Sequence, residues 1–477
     1  MKYGLDFGTT NSSISVAKNG QVKVVNIDVA ALDPRVLRSM LYFLRREIVY
    51  DPKIPPERLR MQVFKTGEIS YKGESFYLIG QEAVSKYILD NKNRAAGIKR
   101  TIFTGRFIDV GTASVDQPRP DPVAEYYEEI DYGTGRLLQA LKSSLKTNYK
   151  GTTVFGKFYS VEELISMFLK EIKERAEYSL GEKIEEITAG RPVKFSEIES
   201  IDKRAESRLE EAYIMAGFKK VVFEFEPVAA ARQFVAQNTK KGELVFVFDF
   251  GGGTLDTAVV RSSLATSGVA CSDVLATDGV YIGGDLLNAD IMQAKLWDYF
   301  GASSTWGEQH LPMPLHLYEA LNSWYSIPSL NNPETMQLLE RVSYKNSDIS
   351  AVGRLMHLIK SNVGFEIYEA IEKAKKRLSE DNEAQIFYND GSIELDMMIT
   401  REEFEEIIAQ RVEEIKQVVL RTLEKAGIES KQVDKVVRTG GSSLIPVFQE
   451  MLENIFGKGK ITLFETFTSI ASGLALE

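Results

Sequence analysis

Two short stretches of the chain are imperfect copies of each other: Gly4-Leu5-Asp6-Phe7-Gly8-Thr9-Thr10-Asn11-Ser12 near the start and Phe248-Asp249-Phe250-Gly251-Gly252-Gly253-Thr254-Leu255-Asp256 in the middle. Each is an apolar β-type run ending in Asp, then small residues and Thr, then a second β-type run. That pattern is a hairpin whose turn is nearly bare backbone. Glycines let backbone N–H groups close on an anion, and hydroxyls add donors. One such loop in each half constrains the chain to two related lobes able to grip one polyphosphate from both sides. A carboxylate beside a phosphate loop repels phosphate unless a cation stands between them. Asp6 and Asp249 therefore point to Mg2+, and Asp256 supplies a third carboxylate.

Length and charge narrow the class. At 477 residues the chain exceeds a single core and fits two to four domains of ordinary size. Its net charge of -10 argues against a general nucleic-acid binder, which needs a clustered basic surplus, while leaving room for one nucleotide. The only cysteine, Cys271, excludes an intrachain disulfide and a thiolate metal cluster. The chain opens directly into a strand without a secretory leader, and no apolar run approaches the ~20 residues of a membrane helix. A cytoplasmic protein without membrane contact is expected.

Lobe I is expected over residues 1–243, with an outer insert at about 28–155. Lobe II follows over 244–477, with an insert at about 281–398 and a C-terminal segment, about 459–477, packing back on lobe I; the boundary lies at Lys240-Lys241-Gly242-Glu243. Asn19-Gly20 marks a hairpin turn. Leu164, Ile165, Phe168, Leu169, Ile172 and Ala176 share one face of a long helix from Ser160. Thr400 with Glu403 forms a capping box for a helix running from Glu402 to Ala426.

Three further elements suit a nucleotide. Gly283-Gly284-Asp285 before a helix offers backbone donors at a positive helix end. Gly440-Gly441-Ser442 after a strand suits close backbone approach to a ribose or phosphate. Glu372, Lys375, Lys376 and Ser379 fall on one helix face, which by itself also fits a solvated salt-bridge stripe.

These blocks occur in a recognisable order, together with Leu78-Ile79-Gly80-Gln81-Glu82-Ala83 and Glu226-Pro227-Val228-Ala229-Ala230-Ala231. In that order they resemble the nucleotide-binding domain of the DnaK-type heat-shock chaperones, members of the actin/hexokinase-like ATPase superfamily. The insert beginning Leu311-Pro312-Met313-Pro314 is similar to the YegD-type branch, which has the nucleotide-binding domain only. The resemblance implies an α/β, two-lobed actin-like ATPase fold built from duplicated ribonuclease-H-like domains. It implies that Gly8, Thr9, Thr10 and Asn11 cradle the phosphates of ATP or ADP from one lobe, and Gly251, Gly252, Gly253 and Thr254 from the other. Asp6 and Asp249 would hold hydrated Mg2+, with Glu226 and Asp256 ordering the attacking water or the metal shell. Glu372, Lys375, Lys376 and Ser379 would hold ribose and adenine, with Gly440, Gly441 and Ser442 closing the other side of the nucleoside, and Gly283, Gly284 and Asp285 would add helix-end donors to the nucleotide.

The sequence departs from the family at several points. The Leu-Ile-Gly-x-x-Ala block is followed in the family by a Lys that positions the attacking water; here it is followed by Val84. Lys86 points ~200° away on a helix, which leaves Lys99 or Arg100 as other sources of charge. Losing a positioned electrostatic group costs about 10²–10³ in rate, so slow hydrolysis is expected. The family's Asn-Pro-Asp-Glu block reads Glu465-Thr466-Phe467-Thr468, and where the family's chaperones continue into a peptide-binding domain the given sequence stops at Glu477, so either a free-standing nucleotide domain or a piece of a longer protein is expected. The expected function is a nucleotide-gated, chaperone-like switch with weak ATPase activity and a protein partner or client. A sugar-type small-molecule kinase of the same superfamily is the alternative, and an actin-like filament protein ranks third.

Overall fold

The computed structural model describes residues 1–44, 77–92, 98–108, 123–131, 135–154, 157–238, 242–264, 270–464 and 467–476. The Lys240-Lys241 part of the expected lobe boundary, and Glu465-Thr466, lie outside the described residues. So do the side chains of Lys99, Arg100 and Cys271.

Two five-strand paths organise the chain, and they repeat one topology. In the first, Lys2–Phe7, Asn11–Lys18 and Gln21–Val24 form an antiparallel meander, and Glu186–Arg191 and Lys220–Phe225 add in parallel on the other side of Lys2–Phe7. In the second, Leu244–Phe250, Leu255–Leu264 and Ala270–Val280 form the meander, and Lys435–Thr439 and Ile461–Leu463 add in parallel beside Leu244–Phe250. Each first strand is thus flanked on both sides and buried. Leu5 is fully buried and Phe7 nearly so; Phe246, Phe248 and Phe250 are fully buried.

Local chemistry sets the elements. Asn19 (φ 53°) and Gly20 (φ 78°) both take positive φ, as a type I′ turn requires, and the turn pins the Lys18–Gln21 register. Ser160 caps the helix Val161–Leu180 with a complete capping box to Glu163, and Gly181 (φ 73°) ends it. The Thr400 box is only half made: its hydroxyl accepts the Glu403 N–H, while the Glu403 carboxylate pairs with Lys295. The expected single helix is also two, Arg401–Ile407 and Ala409–Ala426. It breaks at Ile408, whose φ of -95° and ψ of 6° leave the helical region while its side chain stays fully buried.

Each lobe has its own apolar core. A smaller cluster joins them, with Val228, Ala230 and Phe234 from the helix Glu226–Asn238 meeting Val245, Val247 and Val437 of the second sheet. The terminal helix Ser469–Ala475 lies against the strand Lys2–Phe7 and the helix Glu226–Asn238. Its approach leaves no room for a side chain at Gly473, whose Cβ would stand 1.7 Å from the Ala229 carbonyl oxygen.

Candidate functional site

The two copied loops are turns of the two meanders, so the repeated topology carries them to equivalent ends of equivalent strands. They touch. A Cβ on Gly252 would lie 2.4 Å from Thr10 Cγ2, and one on Gly253 would lie 2.5 Å from Thr9 Oγ1, so only glycine allows this approach. The first loop is braced by Ser39, which the sequence reading missed: its hydroxyl donates to the Gly8 carbonyl at 2.7 Å and its N–H to the Thr10 carbonyl at 2.8 Å. No local motif marks Ser39, because its role depends on a distant segment folding back.

Behind the loops lies a knot of acids. Asp6, Asp249, Asp256 and Glu226 are all buried, and Asp249 stands directly opposite Asp256 across the second hairpin. Facing like charges are unfavourable. Burial, reinforced by Glu226, pushes the Asp6 carboxyl up; burial and then Glu226, Asp256 and Asp6 do the same to Asp249. Asp256 Oδ1 accepts the Val193 N–H from the other lobe at 2.7 Å, while Oδ2 is buried with no partner among the described residues. Among the described residues no three acids group closely enough to ligate a metal directly, so the cation these carboxylates fit is a hydrated divalent one held through its waters.

The remaining segments converge on the second loop. Gly440 holds φ 80°, and its Cβ would meet the Phe250 carbonyl oxygen at 2.3 Å; beside it, Ser442 Oγ donates to the Gly251 carbonyl at 2.9 Å. Gly441 faces the Phe467 ring. The helix beginning at Gly284 differs from expectation. Its Gly284 and Asp285 N–H groups donate to the carbonyls of Gly251 and Gly252, at 3.0 and 2.9 Å. These helix-end donors hold the second loop in shape and are taken up by its carbonyls. On the helix Gly364–Leu378, Glu372 takes the Lys375 ammonium at 2.6 Å and the Asn288 amide at 2.8 Å, and Lys375 also donates to the Gly284 carbonyl. Burial works against the Glu372 charge, yet Lys375 and Lys376 outweigh it and hold the carboxyl at about 2. Lys376 is largely exposed, with its ammonium 3.3 Å from Glu372, and Ser379 follows the helix end.

With that geometry in place, the relatives can be read. The family model for Hsp70 protein matches residues 67–302 and 359–477, more than half of the chain. This chain belongs to the Hsp70 family. Its fold is accordingly the actin-like ATPase fold. The chaperone protein DnaK of Prochlorococcus marinus (strain MIT 9515) is 24% identical over 491 aligned residues, which cover 99% of this chain and 58% of that protein. The chain therefore spans somewhat more than half the length of that relative. The family match lapses over residues 303–358, within the second insert.

In this Hsp70 chain that insert reaches across the cleft. Trp324 donates its Nε1–H to Gln139 Oε1 at 2.9 Å and stacks edge-on against Phe365 at 5.2 Å, and Phe365 meets Tyr87 at 5.3 Å. Val84 belongs to the same cluster with Met40, Tyr42 and Ala83. The position expected to lack a water-positioning Lys is therefore packed in an apolar clasp. Lys86, as its helical spacing implied, points elsewhere and pairs with Asp90. The cation in the acidic knot is one the sequence reading missed, Lys142, which pairs with Glu226.

Proposed function

We propose that this chain is a nucleotide-gated switch of the chaperone type, in which Mg-ATP bridges the lobes and is hydrolysed slowly while the lobe arrangement is read by a protein partner. The observation that carries it is the meeting of the two glycine-threonine loops directly over four buried carboxylates. In this reading Thr9, Thr10, Asn11 and the Gly251–Thr254 backbone bind the β and γ phosphates from opposite lobes. Asp6 and Asp249 hold the hydration shell of Mg2+, which supplies charge neutralisation when bound. Glu226 and Asp256 orient water, and Glu372, Lys375 and Ser442 frame the nucleoside. Slow turnover has two sources in this reading: Val84 in place of the family's Lys, and the clasp of Trp324, Phe365 and Tyr87, which must part before product leaves. A cytoplasmic setting, suggested by the single cysteine, is part of the proposal.

Calorimetric titration with Mg-ATP tests it. The unmodified chain should bind saturably, and Asp249→Asn and Thr10→Ala should each weaken binding at least about tenfold, the ~1.4 kcal/mol that one charge-assisted contact is worth. No binding, or binding indifferent to both substitutions, sinks the reading. Sugar phosphate formed when sugars are added would replace it with a kinase.

A further inference from the structure

Lys142 is buried in the cleft and is not explained by either phosphate loop. It sits on the short helix Leu141–Ser144, just after the strand Gly135–Gln139. Between them Ala140 takes φ 53° and ψ 31°, a left-handed conformation unfavourable for a residue with a Cβ. A surface lysine would not require that turn. Its ammonium pairs with Glu226 at the first residue of the helix Glu226–Asn238. That helix packs on Val245, Val247 and Val437 of the second sheet, so the ammonium lies where the two lobes meet, and its charge favours the ionised forms of Asp6, Asp249 and Asp256. An ammonium has three donors. Glu226 takes one, and the other two have no partner among the described residues.

We propose, resting on the nucleotide reading above, that Lys142 is the cation of the hydrolytic step, brought into the cleft from the segment between the outer strands and the helix Val161–Leu180. Phosphoryl transfer needs positive charge on the oxygens of the moving group and a held nucleophile. Water forms its bond to the γ phosphorus as the bond to the β–γ bridging oxygen breaks. ADP leaves with that electron pair, and the water's proton passes to the released phosphate. Lys142 is placed to donate to a γ oxygen and to the attacking water while Glu226 fixes its direction. The charge that Val84 cannot supply thus reaches the acidic knot from a different part of the chain.

The test uses the full chain with Mg-ATP and separates binding from chemistry. Calorimetry gives affinity, and single-turnover release of phosphate from preformed complex gives the chemical step. Lys142→Met should bind Mg-ATP within a few-fold of the unmodified chain and hydrolyse it about 10²–10³-fold more slowly. Lys142→Arg should recover part of the rate, and ethylammonium added to Lys142→Ala should recover part of it too. Hydrolysis by Lys142→Met at the original rate overturns the proposal. So does a loss that neither Arg nor ethylammonium relieves and that tracks a lowered melting temperature, since Lys142 would then only support Glu226. If the unmodified chain fails to bind Mg-ATP, the nucleotide reading itself falls, an outcome separate from either of these.

Discussion

At the scale of single residues, the cleft is controlled by what is absent at Gly252 and Gly253 and by what is present at Lys142 and Glu177. Gly253→Val would drive two methyl groups into Thr9, and the loops would have to separate. Mg-ATP binding should fall at least about tenfold by calorimetry, with a melting temperature close to the original because the turn is at the surface of the cleft. Glu177 acts further back. It accepts the Ile184 N–H at 2.9 Å and pairs with Lys173 and Lys183, fixing the entry to the strand Glu186–Arg191 that lies beside Asp6's own strand. Burial opposes its charge, but the Ile184 N–H and the two ammoniums outweigh burial and hold the carboxyl at about 2. Its folded-state value lies below the unfolded ~4.3, so its stabilisation is complete above about pH 4.3 and is lost as pH falls through 2. Glu177→Gln should cost roughly 1.5–3 kcal/mol at pH 7, and thermal melts should show the gap to the unmodified chain closing toward pH 2. A gap of constant size would mean the carboxylate charge is not what stabilises. The loop residues were legible in the sequence because a phosphate-binding hairpin is a local pattern of Asp, Gly and Thr. Lys142 was not, because Ala140-Leu141-Lys142-Ser143 carries no periodicity, and its place depends on one left-handed residue and a strand paired far away.

At the scale of elements, the second insert meets the first lobe through Trp324, which bonds Gln139, and Phe365, which meets Tyr87. The helix Gly364–Leu378 was legible from the charged face of Glu372, Lys375 and Lys376, but which neighbour Phe365 and Trp324 would find depended on tertiary packing. The same limit explains the break at Ile408, where burial of one side chain overrides a continuous helical pattern. The clasp is a small aromatic stack with the Trp324–Gln139 hydrogen bond and two long 3.5 Å bonds between the Tyr87 hydroxyl and Asn362, and aromatic pairs of this kind contribute about 0.5–1.5 kcal/mol each. Trp324→Ala removes the ring pairs with Phe365 and Tyr325, which lie in its own lobe, together with the bond to Gln139 and the packing on the Tyr87 cluster, which cross the cleft, so the closed form should lose a kilocalorie or two. Release of a fluorescent ADP analogue, followed by stopped flow, should quicken about tenfold. Unchanged release would show that the clasp is not what retains product. Val84→Lys follows from the same geometry: it places an ammonium in the cluster of Met40, Tyr42 and Tyr87 and should lower stability without raising hydrolysis.

At the scale of the whole molecule, the lobes are joined very differently at the two ends of the cleft. At the base, the helices Glu226–Asn238 and Ser469–Ala475 pack continuously between the two sheets, which in the proposed switch would be the hinge. At the mouth the bridges are separable: the aromatic clasp, and the fork of Arg38 onto Glu369 at 2.6 and 3.2 Å. Between base and mouth, Lys194 reaches Asp278 at 3.2 Å and Val193 donates to Asp256, contacts that exist only while the lobes are near. In the proposed switch, mouth bridges worth about 0.5–2 kcal/mol apiece would set an open–closed equilibrium that a ligand bound to both lobes shifts. The single cysteine makes this measurable. With Cys271→Ser as background, spin labels at exposed Ser85 and Ser350 report the distance across the mouth. The unmodified chain should give a narrow distribution without nucleotide. Arg38→Ala with Trp324→Ala should broaden it toward longer distances, and Mg-ATP should narrow it again. Identical distributions in all three conditions would mean that the lobes do not move as a switch requires, even if nucleotide binds.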